Sequence, residues 1–220
     1  MNEIQQYTAL IEKELQENSF PESPNNLYDP LRYFLSLGGK RIRPVLTLLG
    51  ASLFEKEEET ALPAALAIEY FHNFSLIHDD IMDEAPIRRS KPTVHEKWNS
   101  NIAILSGDVL LVKAYQELCK QEAKHIPEWL KVFNTTSVEV CEGQQMDMDF
   151  EEQTQISKAQ YIEMIRLKTS VLLGCALELG AIIANASKSD RKSLYDFGVN
   201  VGIAFQIQDD ILDAYGDADK

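Results

Sequence analysis

Cysteine is scarce in this chain of 220 residues. The three present, Cys119, Cys141 and Cys175, are odd in number and dispersed, which excludes a disulfide frame and a zinc site. Each lies in an apolar helical stretch and reads as a small core residue in a reducing, cytoplasmic compartment. Basic residues are outnumbered: 21 Lys and Arg stand against 35 Asp and Glu, a formal net charge of −14. A nucleic-acid partner requires a basic face, so that class is excluded. Long apolar runs are missing too. The longest, Val171 to Ala186, is interrupted by Glu178 and falls short of the roughly 20 apolar residues of a transmembrane helix. The start, Met1-Asn2-Glu3-Ile4, has no basic patch leading into an apolar run, so no signal peptide is expected. Strand-like alternation of apolar and polar residues is also lacking.

What is there is helical. Hydrophobic residues make up 45% and charged residues 25%, the balance of a globular protein able to bury a core unaided. Apolar residues recur at helical spacing almost throughout, so the fold class is all-α. Helices are predicted over about 2–18, 27–37, 40–54, 62–83, 94–123, 127–148, 158–185 and 190–214, with a polar loop over 85–92. No linker or composition shift divides the chain, and 1–220 reads as one domain. The glycines and alanines Gly174, Ala176, Gly180 and Ala181 fit either close helix packing or room for a ligand inside a bundle.

Acidic residues gather at two helix ends. Asp79-Asp80-Ile81-Met82-Asp83 closes one apolar helix, and Asp209-Asp210-Ile211-Leu212-Asp213 repeats the spacing on another. Residues four apart share a helix face, so Asp79 stacks on Asp83 and Asp209 on Asp213. Carboxylates so placed repel each other, and the C-terminal end of a helix dipole disfavours them further. A cation relieves both penalties. Two such clusters facing each other across a cleft would make a hard-cation site for Mg²⁺; solvated helix ends are the alternative. Gln144 and Asp147 lie one turn apart on another helix and either add polar groups to the cleft or are solvated.

An acidic chain that binds an anion needs local cations. Lys40 and Arg43 are three apart at a helix start, preceded by Gly38-Gly39, an arrangement suited to a diphosphate. Arg88 and Arg89 follow the first acidic cluster directly; neighbouring arginines point apart, so each would serve a different anion through its fork of donors. His72 lies on the stripe leading to Asp79, and Lys168 is a single charge entering the apolar run from Val171. Each of these also has a plain structural reading: a surface cap, a local salt bridge, a hydrogen-bonding histidine, a lysine snorkelling to solvent.

Taken in order, Gly39-Lys40-Arg41-Ile42-Arg43-Pro44, Asp79-Asp80-x-x-Asp83 with Arg88-Arg89, Gly143-Gln144-x-x-Asp147, Lys168-Thr169 and Gly202-x-x-Phe205-Gln206-x-x-Asp209-Asp210-x-x-Asp213 resemble the motif set of the trans-polyprenyl diphosphate synthases. The farnesyl and geranylgeranyl diphosphate synthases are its short-chain members. The resemblance covers about residues 27–213. It implies an isoprenoid-synthase helical bundle around an apolar cavity and a prenyltransferase that joins isopentenyl diphosphate to an allylic diphosphate. Asp79, Asp83 and Asp209 would hold three Mg²⁺ ions, with Asp80, Asp210 and Asp213 supporting them. Arg88 and Lys168 would bind the allylic diphosphate. Lys40, Arg43, His72 and Arg89 would bind the diphosphate of isopentenyl diphosphate. Thr169 and Gln206 would stabilise an allylic cation, and Gln144 would line the substrate site. Phe74 and Ser75, five and four positions before the first aspartate, would floor the pocket; a bulky Phe74 beside a small Ser75 favours a C20 product over C15.

The resemblance also implies a homodimer. Family members run on past the second acidic motif, so C-terminal helices are expected beyond residue 220, with a Gly-Lys element for which Lys220 does not substitute. A terpene cyclase shares the metal logic but needs no second basic site. A non-catalytic partner subunit commonly lacks one acidic motif. An acidic metal-binding protein without turnover leaves the paired basic residues unexplained.

Overall fold

The computed structural model describes residues 2–17, 20–120 and 122–215; Lys220 and the side chain of Asp213 lie outside the described set. The helices are α1 (Glu3–Glu17), α2 (Asn25–Ser36), α3 (Ile42–Ser52), α4 (Glu58–Met82), α5 (Val94–Lys97), α6 (Ser100–Leu118), α7 (Ile126–Glu151), α8 (Lys158–Ile165), α9 (Val171–Ile183) and α10 (Lys188–Tyr215). The class is all-α. The chain divides into two compact units, one of residues 1–48 and 59–123, the other of residues 49–58 and 124–220.

The first unit buries Tyr7, Ile11 and Leu15 of α1, Leu31 and Phe34 of α2, and a near-continuous run of α4 from Ala64 to Phe71. A helix apolar on all sides is a core helix. α2 packs on α6, and α5 on α6. Where one helix was expected over 94–123, the structure has two. Trp98 takes non-helical backbone angles, and the Asn99 side chain accepts from the Ile102 amide at 2.9 Å, restarting the helix as an N-cap. The expected loop over 85–92 contains a small antiparallel hairpin, β1 (Ile87–Arg88) and β2 (Lys91–Pro92). Arg89 and Ser90 turn it with φ of 51° and 61°, the paired left-handed geometry of a tight hairpin turn.

The second unit is built around α9, in which every residue except Glu178 is buried. α9 and α10 share the most extensive contact, and α7 packs on both α9 and the turn that precedes it. The small residues serve close packing here. A Cβ on Gly198 of α10 would lie 2.8 Å from the Gly174 Cα of α9, so the two backbones touch. The helix expected over 158–185 is interrupted by a π-helical turn, Arg166–Ser170. Of the three cysteines only Cys175 is buried; Cys119 and Cys141 are exposed. Apolar surroundings in sequence did not report which helix face they occupy. No helix among the described residues is long and apolar enough to cross a membrane.

Candidate active site

In the first unit the acidic residues end α4. Asp83 follows the last helical residue, and its amide donates to the Asp79 carbonyl at 2.8 Å, keeping the two aspartates one turn apart. Glu84, at φ 47°, then turns the chain out of the helix. Asp83 is exposed and Asp79 partly so. Asp80 is different: it is 1% exposed, and the Arg88 Nε donates to both its oxygens, at 2.8 and 3.0 Å. Arg88, expected as a diphosphate ligand, therefore braces the acidic turn. Its neighbour Arg89 sits on the hairpin tip, so the two arginines do point apart. The Arg89 guanidinium lies against Gly39, where a Cβ would come within 3.0 Å of it.

The basic residues gather around α4. An Arg43 N–H donates to His72 Nε2 at 3.2 Å; arginine only donates, so this nitrogen is an acceptor. Burial, and then the charges of Arg43, Arg89, Arg88 and Arg41, hold the His72 imidazole well below its ordinary pKa. Burial likewise lowers Arg43 to about 10, against a raising effect of Glu69, and Arg89 is lowered by burial and by Arg41. The Arg43 Nε is buried without a hydrogen-bond partner. An Arg89 charge depressed by neighbouring arginines and a buried Arg43 donor left over are relieved together by an anion. Lys40 is exposed at the same loop. Phe74 is held on α4 between Phe71 and His78, at ring-centroid distances of 5.6 and 4.6 Å, and the Ser75 hydroxyl donates to the His72 carbonyl at 2.9 Å.

In the second unit a hydrogen-bonded chain links the remaining candidates. The Thr169 hydroxyl donates to Gln206 Oε1 at 3.2 Å, and Gln206 Nε2 donates to Asp210 Oδ1 at 2.8 Å. The other Asp210 oxygen accepts from the Tyr161 hydroxyl. Burial and that bond push Tyr161 up to about 12. Tyr161 carries no motif signal, and sequence reasoning passed over it. Lys168 is ion-paired with Asp147. Both Lys168 and Thr169 stand on the π turn, a local geometry common at functional sites. Two glycines seat this turn. A Cβ on Gly143 would fall 2.1 Å from the Lys168 amide nitrogen, and one on Gly202 would fall 2.7 Å from Ser170. Gln144 is buried with neither amide atom bonded, and Asp209 is partly exposed on α10.

Among the described residues no three His, Cys, Asp or Glu side chains form a ready metal cage. Carboxylate pairs one turn apart nevertheless fit Mg²⁺, which takes one or two carboxylates and fills its shell with water and phosphate oxygens.

Comparison with known proteins agrees with these motifs. The polyprenyl synthetase family profile matches residues 24–220. The geranylgeranyl diphosphate synthase of Methanosarcina mazei is 40% identical over 97% of this chain and 66% of that protein. A short chain isoprenyl diphosphate synthase of Methanocaldococcus jannaschii is 42% identical over 96% of this chain and 64% of its own length. A geranylgeranyl pyrophosphate synthase crystal structure superposes with a TM-score of 0.95 at 48% identity, covering 99% of this chain and 66% of that one. The chain thus spans just under two thirds of the length of these relatives. With the ordered motifs and the fold, these likenesses place the chain in the polyprenyl synthetase family.

Proposed function

We propose that this chain carries the substrate and metal residues of a short-chain trans-polyprenyl diphosphate synthase that makes a C20 product. The observation that carries the reading is the basic group on α4 and its flanking loops. Arg43, His72, Arg89 and Lys40 form an anion site that the acidic motifs do not account for, so the protein binds a second diphosphate. A cyclase with one diphosphate substrate has no use for it.

In the proposed reaction the allylic C–O bond breaks and its diphosphate departs. The isopentenyl double bond attacks the allylic carbon, a new C–C bond forms, and a proton is lost to the departing diphosphate. Lys40, Arg43, His72 and Arg89 hold the isopentenyl diphosphate; Lys168 and Arg88 hold the allylic one. Arg88 also orients Asp80, and Asp147 orients Lys168. The Thr169 and Gln206 dipoles face the developing cation, with Gln206 oriented by Asp210 and Tyr161, and Gln144 supplies further donors and acceptors to substrate. Asp79, Asp83 and Asp209 are the proposed Mg²⁺ ligands, supported by Asp80, Asp210 and Asp213, with three ions expected. Bound there, Mg²⁺ would neutralise charge as diphosphate leaves.

Product length is set, in this reading, by Phe74 and Ser75. The names of relatives support C20, as geranylgeranyl synthases recur among them, with C25 geranylfarnesyl synthases such as that of Natronomonas pharaonis at 36% identity. A cytoplasmic homodimer belongs to the same proposal; Ile104, Leu105 and Val112 leave an exposed apolar face on α6 for it. The test is to incubate the protein with labelled isopentenyl diphosphate, Mg²⁺ and, separately, dimethylallyl, geranyl or farnesyl diphosphate, then size the dephosphorylated products. Elongation that halts at C20 supports the reading, and a halt at C15 corrects the pocket depth. Isopentenyl diphosphate left unconsumed in every tube contradicts it.

A further inference from the structure

Three basic residues sit in one short loop, Lys40, Arg41 and Arg43, yet they have different fates. Lys40 is exposed and Arg43 borders His72, whereas the Arg41 side chain is completely buried. Each of its three nitrogens is engaged. Its Nε donates to Glu12 of α1 at 2.6 Å, one terminal nitrogen to Glu69 of α4 at 2.5 Å, and the other to the Leu35 carbonyl of α2 at 3.0 Å. Arg41 is thus turned into the protein, with each nitrogen committed to a protein acceptor. Its backbone is also unusual: φ is 48° at Arg41 and 155° at Gly39. A non-glycine residue keeps a left-handed conformation only when its surroundings impose it. Here three helices do so through one guanidinium.

We propose that Arg41, clamped by Glu12 and Glu69, is a positioning residue that holds the Gly39–Arg43 loop in the shape that binds the isopentenyl diphosphate. This rests on the reading of Lys40, Arg43, His72 and Arg89 given above. Glu69 is three residues before His72 on α4, so the helix that carries the histidine also fixes the loop opposite it. The Asn73 amide donates to the same Glu69 oxygen at 2.8 Å and locks its rotamer. Electrostatics agree. Burial alone would lower Arg41, but the hydrogen bond to Glu12 and the charge of Glu69 raise it; Glu69 also works to keep the buried Arg43 protonated. Glu12 lies before residue 24, where the family match begins, so α1 acquires a role in substrate binding that the motifs do not assign to it.

The test uses two mild variants. Arg41→Lys keeps the buried charge but loses the three-way fork, and Glu12→Gln alters the partly exposed partner. Folding is checked by circular dichroism and thermal melting. In both variants the KM for isopentenyl diphosphate should rise about tenfold, the equivalent of about 1.4 kcal/mol, with the KM for the allylic substrate and kcat changed less than about twofold. Hydrogen exchange of the 38–43 amides should quicken, and added inorganic diphosphate should restore its protection. Folded variants with unchanged KM and unchanged exchange overturn the proposal. Equal losses on both substrates and in kcat also overturn it, because they mark general destabilisation. Wild-type protein that binds no isopentenyl diphosphate by calorimetry overturns the functional reading itself, a result reached before either variant is made.

Discussion

Gly143→Ala is the smallest change that should disturb the second unit's candidate residues. The added methyl carbon would lie 2.1 Å from the Lys168 nitrogen and 2.6 Å from the Leu167 carbonyl carbon. Both neighbours are main chain, so no rotamer change relieves the clash; α7 and the π turn must separate. Overpacking typically costs about 1–3 kcal/mol, and a backbone clash belongs at the top, about 3 kcal/mol. For a domain of this size each kcal/mol moves Tm by about 2–4 °C, giving a fall of about 6–12 °C. Lys168 and Thr169 ride on the displaced turn, so kcat should fall as well. Gly38→Ala is the control: nothing lies within 4 Å of its added Cβ, and only its φ of 74° is penalised, a cost of about 1–2 kcal/mol. Differential scanning calorimetry on both variants decides the matter. A Gly143→Ala melting point within a degree of wild type would refute the packing argument for the π turn.

Other outcomes follow from the first unit. The His72 pKa is lowered by burial and by the surrounding arginines, so the folded protein resists a proton that the unfolded chain accepts. Stability should therefore decline as pH falls below about 6.5; histidine-selective NMR should show His72 neutral at pH 6, and bound inorganic diphosphate should raise its pKa. Phe74→Ala should lengthen the product, read by chromatography of the dephosphorylated alcohols; an unchanged product removes Phe74 from the pocket floor. Asp79→Asn or Asp209→Asn should raise the Mg²⁺ needed for half-maximal rate and lower kcat by at least about a hundredfold, as measured by a Mg²⁺ titration.

The helices were legible because apolar residues run on through them, as in α4 and α9, whose buried stretches are near-continuous. Local events were less so. The break at Trp98-Asn99 hid behind continued periodicity, although Asn99 followed by Ser100 is a capping signal. The π turn at 166–170 has no local signature; the residues that pack against it, Gly143 and Gly202, lie elsewhere in the chain. The hairpin over 87–92 is too short to alternate. Among the candidate residues, motif order assigned His72 and Arg43 to one ligand, and the structure places them 3.2 Å apart. Tyr161 and the Glu12–Arg41–Glu69 clamp escaped notice because each depends on contacts between residues far apart in sequence. Arg88 follows several local acids, and sequence alone does not single out Asp80 as its partner; Asp80 is buried, and a buried carboxylate requires one.

The most direct test of the central claim is the stoichiometry of a single condensation. With geranyl or farnesyl diphosphate, isopentenyl diphosphate and Mg²⁺, inorganic diphosphate release and isopentenyl diphosphate consumption are followed in the same sample. The account predicts one diphosphate released per isopentenyl unit consumed, and no release when isopentenyl diphosphate is omitted. Diphosphate release that proceeds without isopentenyl diphosphate, leaving it unconsumed when present, would contradict the account and assign the second basic site another purpose.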